Sequence, residues 1–311
     1  MEKSYVTRTG KKPGRASQLF KRISQRNSEI MKNKTVEEHR DAQHLLADIR
    51  PKPPVIIKTL DVTCGGIPCE WVWHGTKAHN NRVILYLHGG SWAYGNLKTA
   101  RAVGVMLAED TKYRVLMAQY RLSPEHRFPA GFEDCYTIYC WLLENGYAPE
   151  QIGLFGDSAG GNLCLCILNR LKAEGKPLPS CVCCASPVTD MRETSAIVNS
   201  GENLIYAQHN GVMQDIFSLY LKEGDDRADP YVSPVTADLS GLPPILIHTG
   251  GDESLAADNE AYADRVFDQG GTIRLKIWDE MFHDFTIVGY ALTESRESLM
   301  EIKAFFETHM R

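Results

Sequence analysis

Short apolar runs alternate with segments of helical spacing from Val55 to the end of the chain. The runs fall at residues 55–61, 70–73, 83–87, 115–119, 152–155, 181–186, 243–248 and 273–278. Several, such as Val83-Ile-Leu-Tyr-Leu87 and Ile152-Gly-Leu-Phe155, show no polar alternation, which is the pattern of strands covered on both faces. Helical segments at 133–144 and 259–269 lie between them. This alternation predicts an α/β fold with a mostly parallel central sheet flanked by helices, in one domain over residues 1–311. Two stretches stand outside it. Residues 1–50 lack strand runs and have helical composition over 16–30 and 35–49. Residues 191–224 read as a second helical insertion, with Leu204, Ile205, Met213, Phe217 and Tyr220 as its apolar face. Both are helical segments free to pack over one end of the sheet.

Composition and charge narrow the setting. With 311 residues and 43% hydrophobic content, the chain can bury one large core. The formal net charge of −5 is unevenly spread, since residues 1–40 carry +7 and the remainder −12. Those basic residues are dispersed and not interleaved with aromatics, so a solvated helical arm is expected and no nucleic-acid partner. The nine cysteines have no nearby histidine set, and most sit in apolar runs where a thiol behaves as a small hydrophobe. No metal and no cofactor are expected, and the reduced thiols fit a cytoplasmic protein. The first residues contain no apolar h-region and no run reaches 18 apolar residues, so no membrane insertion is expected.

Chemistry concentrates at the ends of the apolar runs. Gly156-Asp-Ser-Ala-Gly160 follows one strand and opens a helical stretch, a strand–turn–helix context that lifts a serine hydroxyl clear of the sheet. Ser158 is therefore a candidate nucleophile. Upstream, the run 83–87 delivers His88-Gly-Gly-Ser-Trp92, where glycines let backbone N–H groups turn towards a developing oxyanion. Downstream, the run 243–248 ends near the adjacent carboxylates Asp252 and Glu253, and a loop after the last run holds His283. The order is that of a hydrolase in which serine attacks, histidine moves the proton and an acid orients the imidazole. Either carboxylate can be that acid.

Taken together, His88-Gly-Gly-Ser-Trp92, Tyr120-Arg-Leu-Ser-Pro-Glu-His-Arg-Phe-Pro-Ala130, Gly156-Asp-Ser-Ala-Gly-Gly-Asn162, Ser233-Pro234, Leu239-Ser-Gly-Leu-Pro-Pro244 and the His283 loop resemble the hormone-sensitive lipase-like branch of the α/β-hydrolases, which includes bacterial short-chain esterases and arylacetamide deacetylase. The resemblance implies an α/β-hydrolase fold with a helical cap formed by residues 1–50 and about 191–224, and an oxyanion hole built from the Gly90, Ser91 and Ala159 amides, with Gly89 shaping the approach. Its acid pattern, an acidic residue followed by any residue and then leucine, fits Glu253-Ser-Leu255 and so favours Glu253, with Asp252 as the alternative. Where that family usually has a third glycine this chain has Ser91, a change the backbone donor survives if the residue avoids positive φ. Arg121, Glu125 and His126 read as a structural ion-pair cluster, and Asp157 and Asn162 as supports of the turn. The implied activity is a serine carboxylesterase for short- to medium-chain acyl esters. Alternatives are an amidase or deacetylase on the same residues, a non-catalytic small-molecule receptor and a lipase. A homodimer through the edge of the last strand, Ile273–Trp278, is also expected from the resemblance.

Overall fold

In the computed structural model, residues 3–49, 53–77, 79–199, 206–209 and 212–311 are described, so Leu204 and Ile205 lie outside the described residues. The chain starts with β1 (Val6–Arg8), α1 (Arg15–Met31) and α2 (Val36–Ile49). Next come β2 (Ile57–Cys64), β3 (Ile67–His74), β4 (His79–Leu87), α3 (Leu97–Thr111), β5 (Tyr113–Ala118) and α4 (Ala130–Glu144). Then follow β6 (Ile152–Asp157), α5 (Ala159–Ala173), β7 (Cys181–Ala185), α6 (Ala196–Asn199), β8 (Tyr206–His209), β9 (Val212–Asp215) and α7 (Ile216–Tyr220). The last elements are β10 (Ile245–Gly250), α8 (Leu255–Asp268), β11 (Ile273–Trp278) and α9 (Thr293–His309).

Among the described residues, nine strands form one sheet in the order β1-β11-β10-β7-β6-β4-β5-β3-β2. Strand β3 is antiparallel to β2 and to β5, and the other neighbours are parallel. A strand's side chains alternate between faces, and here each face has its own core. Val83, Leu85 and Leu87 of β4 pack with residues of α4, α5 and α8, whereas Ile84 and Tyr86 pack with α3 and α9. Every residue of β6, β7 and β10 is buried, which fits runs that are apolar on both faces and turn polar only towards their carboxyl ends at Asp157, His248 and Thr249.

Two expectations need correction. Residues 1–50 are not purely helical, because Val6–Arg8 pairs in parallel with Leu275, Lys276 and Ile277 of β11. The free Ile273–Trp278 edge expected to carry a homodimer is thus occupied by the chain's own β1. Lys3 fixes that arm through Glu260 at 2.9 Å and Asp264 at 2.8 Å. The second correction concerns 191–224, where the predicted helical insertion contains an antiparallel hairpin, β8 and β9, between two short helices. Between β8 and β9 the sequence is Asn210-Gly211, a dipeptide that favours two-residue hairpin turns; both residues lie outside the described residues.

The first and second segments meet above the sheet. Thr35 bridges Gln208, whose N–H donates to Lys34 O at 3.0 Å, and Val36, Ala93, Tyr94, Ala207 and Leu219 form a small apolar cluster. Arg40 of α2 reaches the same place. Its guanidinium donates to Ala93 O at 2.9 Å, to Ser123 O at 2.9 Å and, with two nitrogens, to the Glu125 carboxylate at 2.7 and 2.8 Å. Arg121 instead pairs with Asp134 at 2.7 Å, so the predicted Arg121–Glu125–His126 cluster is in fact two separate ion pairs.

Candidate active site

Strand β6 ends at Asp157 and α5 begins at Ala159, which leaves Ser158 alone to reverse the chain at φ 51 and ψ −118. A non-glycine residue there costs on the order of 1–3 kcal/mol and persists only if its surroundings hold it. They do: Ser158 N–H donates to Ala185 O at 2.8 Å, and Ser158 O accepts from Asn162 N–H at 3.1 Å. The Asn162 side chain donates to Val188 O at 2.8 Å and to Val232 O at 3.0 Å. Close packing explains the glycine on the far side of the turn, since a Cβ at Gly160 would stand 1.9 Å from Leu87 O.

His283 Nε2 lies 3.0 Å from Ser158 Oγ, and His283 Nδ1 lies 2.5 Å from Glu253 Oε2. Glu253 is fully engaged: its Oε1 accepts from Ser186 Oγ at 2.7 Å, from Gly250 N–H at 2.6 Å and from the Thr249 hydroxyl. Its side chain is 4% exposed, whereas that of Asp252 is 45% exposed and pairs with Lys21. The structure therefore brings Ser158, His283 and Glu253 into one line and leaves Asp252 out of it. Burial raises the Glu253 pKa, but the imidazole charge and the hydroxyl donors outweigh burial, and the group lies below its ordinary 4.5.

The His88–Trp92 loop faces this line. Gly89 N–H donates to Asp157 Oδ2 at 3.0 Å, and Tyr86 donates to Asp157 Oδ1 at 2.8 Å. Gly89 therefore cannot also serve an oxyanion: of the predicted oxyanion-hole residues, it is the one whose amide is already used. The amides of Gly90, Ser91 and Ala159 donate to no acceptor among the described residues. Gly90 takes φ +112, where a Cβ would stand 2.5 Å from Tyr94 O. Ser91 takes φ 55, so the condition under which serine replaces glycine without strain is not met. That conformation costs roughly 1–2 kcal/mol. The next turn answers it, with Tyr94 N–H donating to Gly90 O at 2.7 Å and Ser123 N–H to Trp92 O at 2.8 Å. His88 supports the loop from below: it is buried, its ring stacks on Tyr120 at 4.5 Å, and burial lowers its pKa to about 4, so it stays neutral.

A family model described as alpha/beta hydrolase fold matches residues 84–287, a span that holds all of these groups. The chain belongs to the alpha/beta hydrolase fold family. It is similar to an acetyl-hydrolase of Streptomyces hygroscopicus, 34% identical over 247 residues, covering 79% of this chain and 82% of that protein. It is also similar to an esterase of Acinetobacter venetianus, 31% identical over 235 residues, covering 74% of this chain and 76% of that one. The crystal structure of an esterase from the bacterial hormone-sensitive lipase family superposes with a TM-score of 0.83 at 32% identity, covering 96% of this chain and 97% of the other.

This hydrolase carries a further carboxyl beside the imidazole. Asp284, at φ 58, places Oδ2 3.3 Å from His283 Nε2 and leaves Oδ1 without a partner among the described residues. Burial draws His283 down, but the negative charges of Asp284 and Glu253 beside it outweigh burial and hold the imidazole above its ordinary 6.5. As the candidate general base, His283 would work only when neutral, so activity is expected to be lost as pH falls through that raised value. The acid limb of kcat/KM is expected at a midpoint above 6.5, and Asp284→Asn, which tolerates the same φ, should move the limb to lower pH. Equal midpoints for the two proteins in a pH–rate profile would contradict this.

Sequence reasoning missed Ser186, Thr249, Asp284 and Arg40. The first two lie at the carboxyl ends of β7 and β10, the end at which open α/β sheets gather their sites, and that rule was a usable signal. Among the described residues, no group of three or more His, Cys, Asp or Glu stands where it could hold a metal ion. No helix among them is long and apolar enough to cross a membrane.

Proposed function

We propose that this ester-hydrolysing enzyme is a serine carboxylesterase that acts on short- to medium-chain acyl esters through an acyl-enzyme on Ser158. The observation that carries the reading is His283 bridging Ser158 Oγ at 3.0 Å and the buried Glu253 carboxylate. In the proposed sequence Ser158 Oγ attacks the ester carbonyl carbon while His283 Nε2 takes its proton. Negative charge gathers on the carbonyl oxygen against the amides of Gly90, Ser91 and Ala159. Collapse breaks the bond to the alkoxy oxygen, and that oxygen leaves with the proton from His283. A water then attacks the acyl carbon by the same route and releases the carboxylic acid and free Ser158. Glu253 holds the imidazole with Nδ1–H towards itself, so that Nε2 is the basic nitrogen.

The whole chain acts as one hydrolase domain in this reading. Its cap combines the N-terminal helices with the segment around β8 and β9, and the cap limits the acyl group. The similarity to an acetyl-hydrolase favours small acyl groups. An initial-rate series on p-nitrophenyl esters from acetate to palmitate tests the range. The highest kcat/KM is expected between acetate and octanoate, with a fall at palmitate. A rate that climbs all the way to palmitate, or no turnover of any ester by folded protein, would overturn the proposal.

A further inference from the structure

Helix α1 is mounted with its polar side inward. Ser17 is buried, and Lys21 and Ser24 are half-buried. Ser17 Oγ donates to Glu294 Oε2 at 2.5 Å, Gly14 N–H to Glu294 Oε1 at 2.6 Å, and Lys21 Nζ to Glu280 O at 3.1 Å. The other side carries Leu19, Ile23 and Ile30, which are 59%, 49% and 60% exposed. At 3.6 residues per turn these three project within about 40° of one another. Arg15, Arg22 and Arg26 border that stripe, and all three are exposed. Surface helices of globular proteins normally bury such a stripe, whereas helices that lie in a lipid interface present it outward beside basic residues.

We propose that α1 docks this enzyme on an anionic lipid surface. Leu19, Ile23 and Ile30 enter the boundary between headgroups and acyl chains, and the three arginines meet lipid phosphates. The charge distribution supports the approach, because residues 1–40 carry +7 while the rest of the chain carries −12 and is held away from the surface. Docking also brings the candidate active site close to the lipid, since Phe20 of the same helix stacks on Phe282, next to His283, at 5.3 Å. A second copy of the chain fits less well. A stable dimer needs on the order of 1,000 Å² of buried surface, and three separated side chains on one helix supply far less.

Vesicle co-sedimentation of the full chain tests this without reference to its catalytic reaction. The protein is expected to sediment with phosphatidylcholine vesicles containing phosphatidylglycerol, much less with phosphatidylcholine alone, and progressively less as salt is raised. Leu19→Ser with Ile23→Ser, and separately Arg22→Glu with Arg26→Glu, should each weaken binding roughly tenfold or more. Circular dichroism of both double variants should match wild type, because all four side chains are solvent-exposed. Binding that ignores phosphatidylglycerol, or that survives both double variants, would overturn the proposal. So would a dimer in sedimentation velocity that depends on the stripe and leaves vesicles unbound, which would assign the stripe to a second copy.

Discussion

Replacing Ser158 with alanine is expected to lower kcat/KM for a short p-nitrophenyl ester by roughly four to six orders of magnitude, the usual cost of removing an acyl-accepting serine. Almost nothing else should change. The Ser158 backbone bonds to Ala185 and Asn162 do not involve the hydroxyl, so the turn keeps its supports. Thermal unfolding of the variant should therefore stay close to wild type. About a thousandfold acceleration over water is expected to remain, from the free amides and from substrate binding. Steady-state rates at matched protein purity decide the question, and a loss of less than tenfold would mean that the nucleophile lies elsewhere.

Separating the two adjacent carboxylates gives the second large effect. Glu253→Gln should reduce kcat by about 10³–10⁴, because an amide no longer holds the imidazole in the tautomer that leaves Nε2 basic or balances the imidazolium. Asp252→Asn should change the rate by no more than a few-fold, since that side chain is 45% exposed and is paired with Lys21, not His283. The glutamine variant leaves Ser186, Thr249 and Gly250 with a weaker acceptor, so a thermal melt belongs beside the rates. A fast Glu253→Gln enzyme with a slow Asp252→Asn enzyme would reverse the assignment of the acid.

How much of this was legible in the sequence follows from the distances involved. Strands buried on both faces leave unbroken apolar runs, and the turn at Ser158 is built within five residues, so the sheet and the serine could both be read locally. Resemblance favoured Glu253 as the acid over Asp252, and the fold separates the two carboxylates: Glu253 is inside with four donors, Asp252 outside with a lysine. Contacts between distant segments were not legible. The pairing of Val6–Arg8 with β11 joins residues some 270 positions apart, and three residues show no periodicity that marks a strand. Arg40 likewise reaches Glu125 only once α2 is folded over the loop. The positive φ at Ser91 and Asp284 was hidden for another reason. Residue type only biases that backbone region, and the surrounding turns decide it.

The most direct test of the central claim is the mass of the covalent adduct formed when the folded enzyme meets a p-nitrophenyl alkylphosphonate, which traps an attacking serine at the tetrahedral stage. The account predicts one adduct per chain, accompanied by loss of ester hydrolysis and located by peptide mass spectrometry at Ser158. An enzyme that hydrolyses esters yet carries the phosphonate on another residue, or resists it while remaining active, would contradict it.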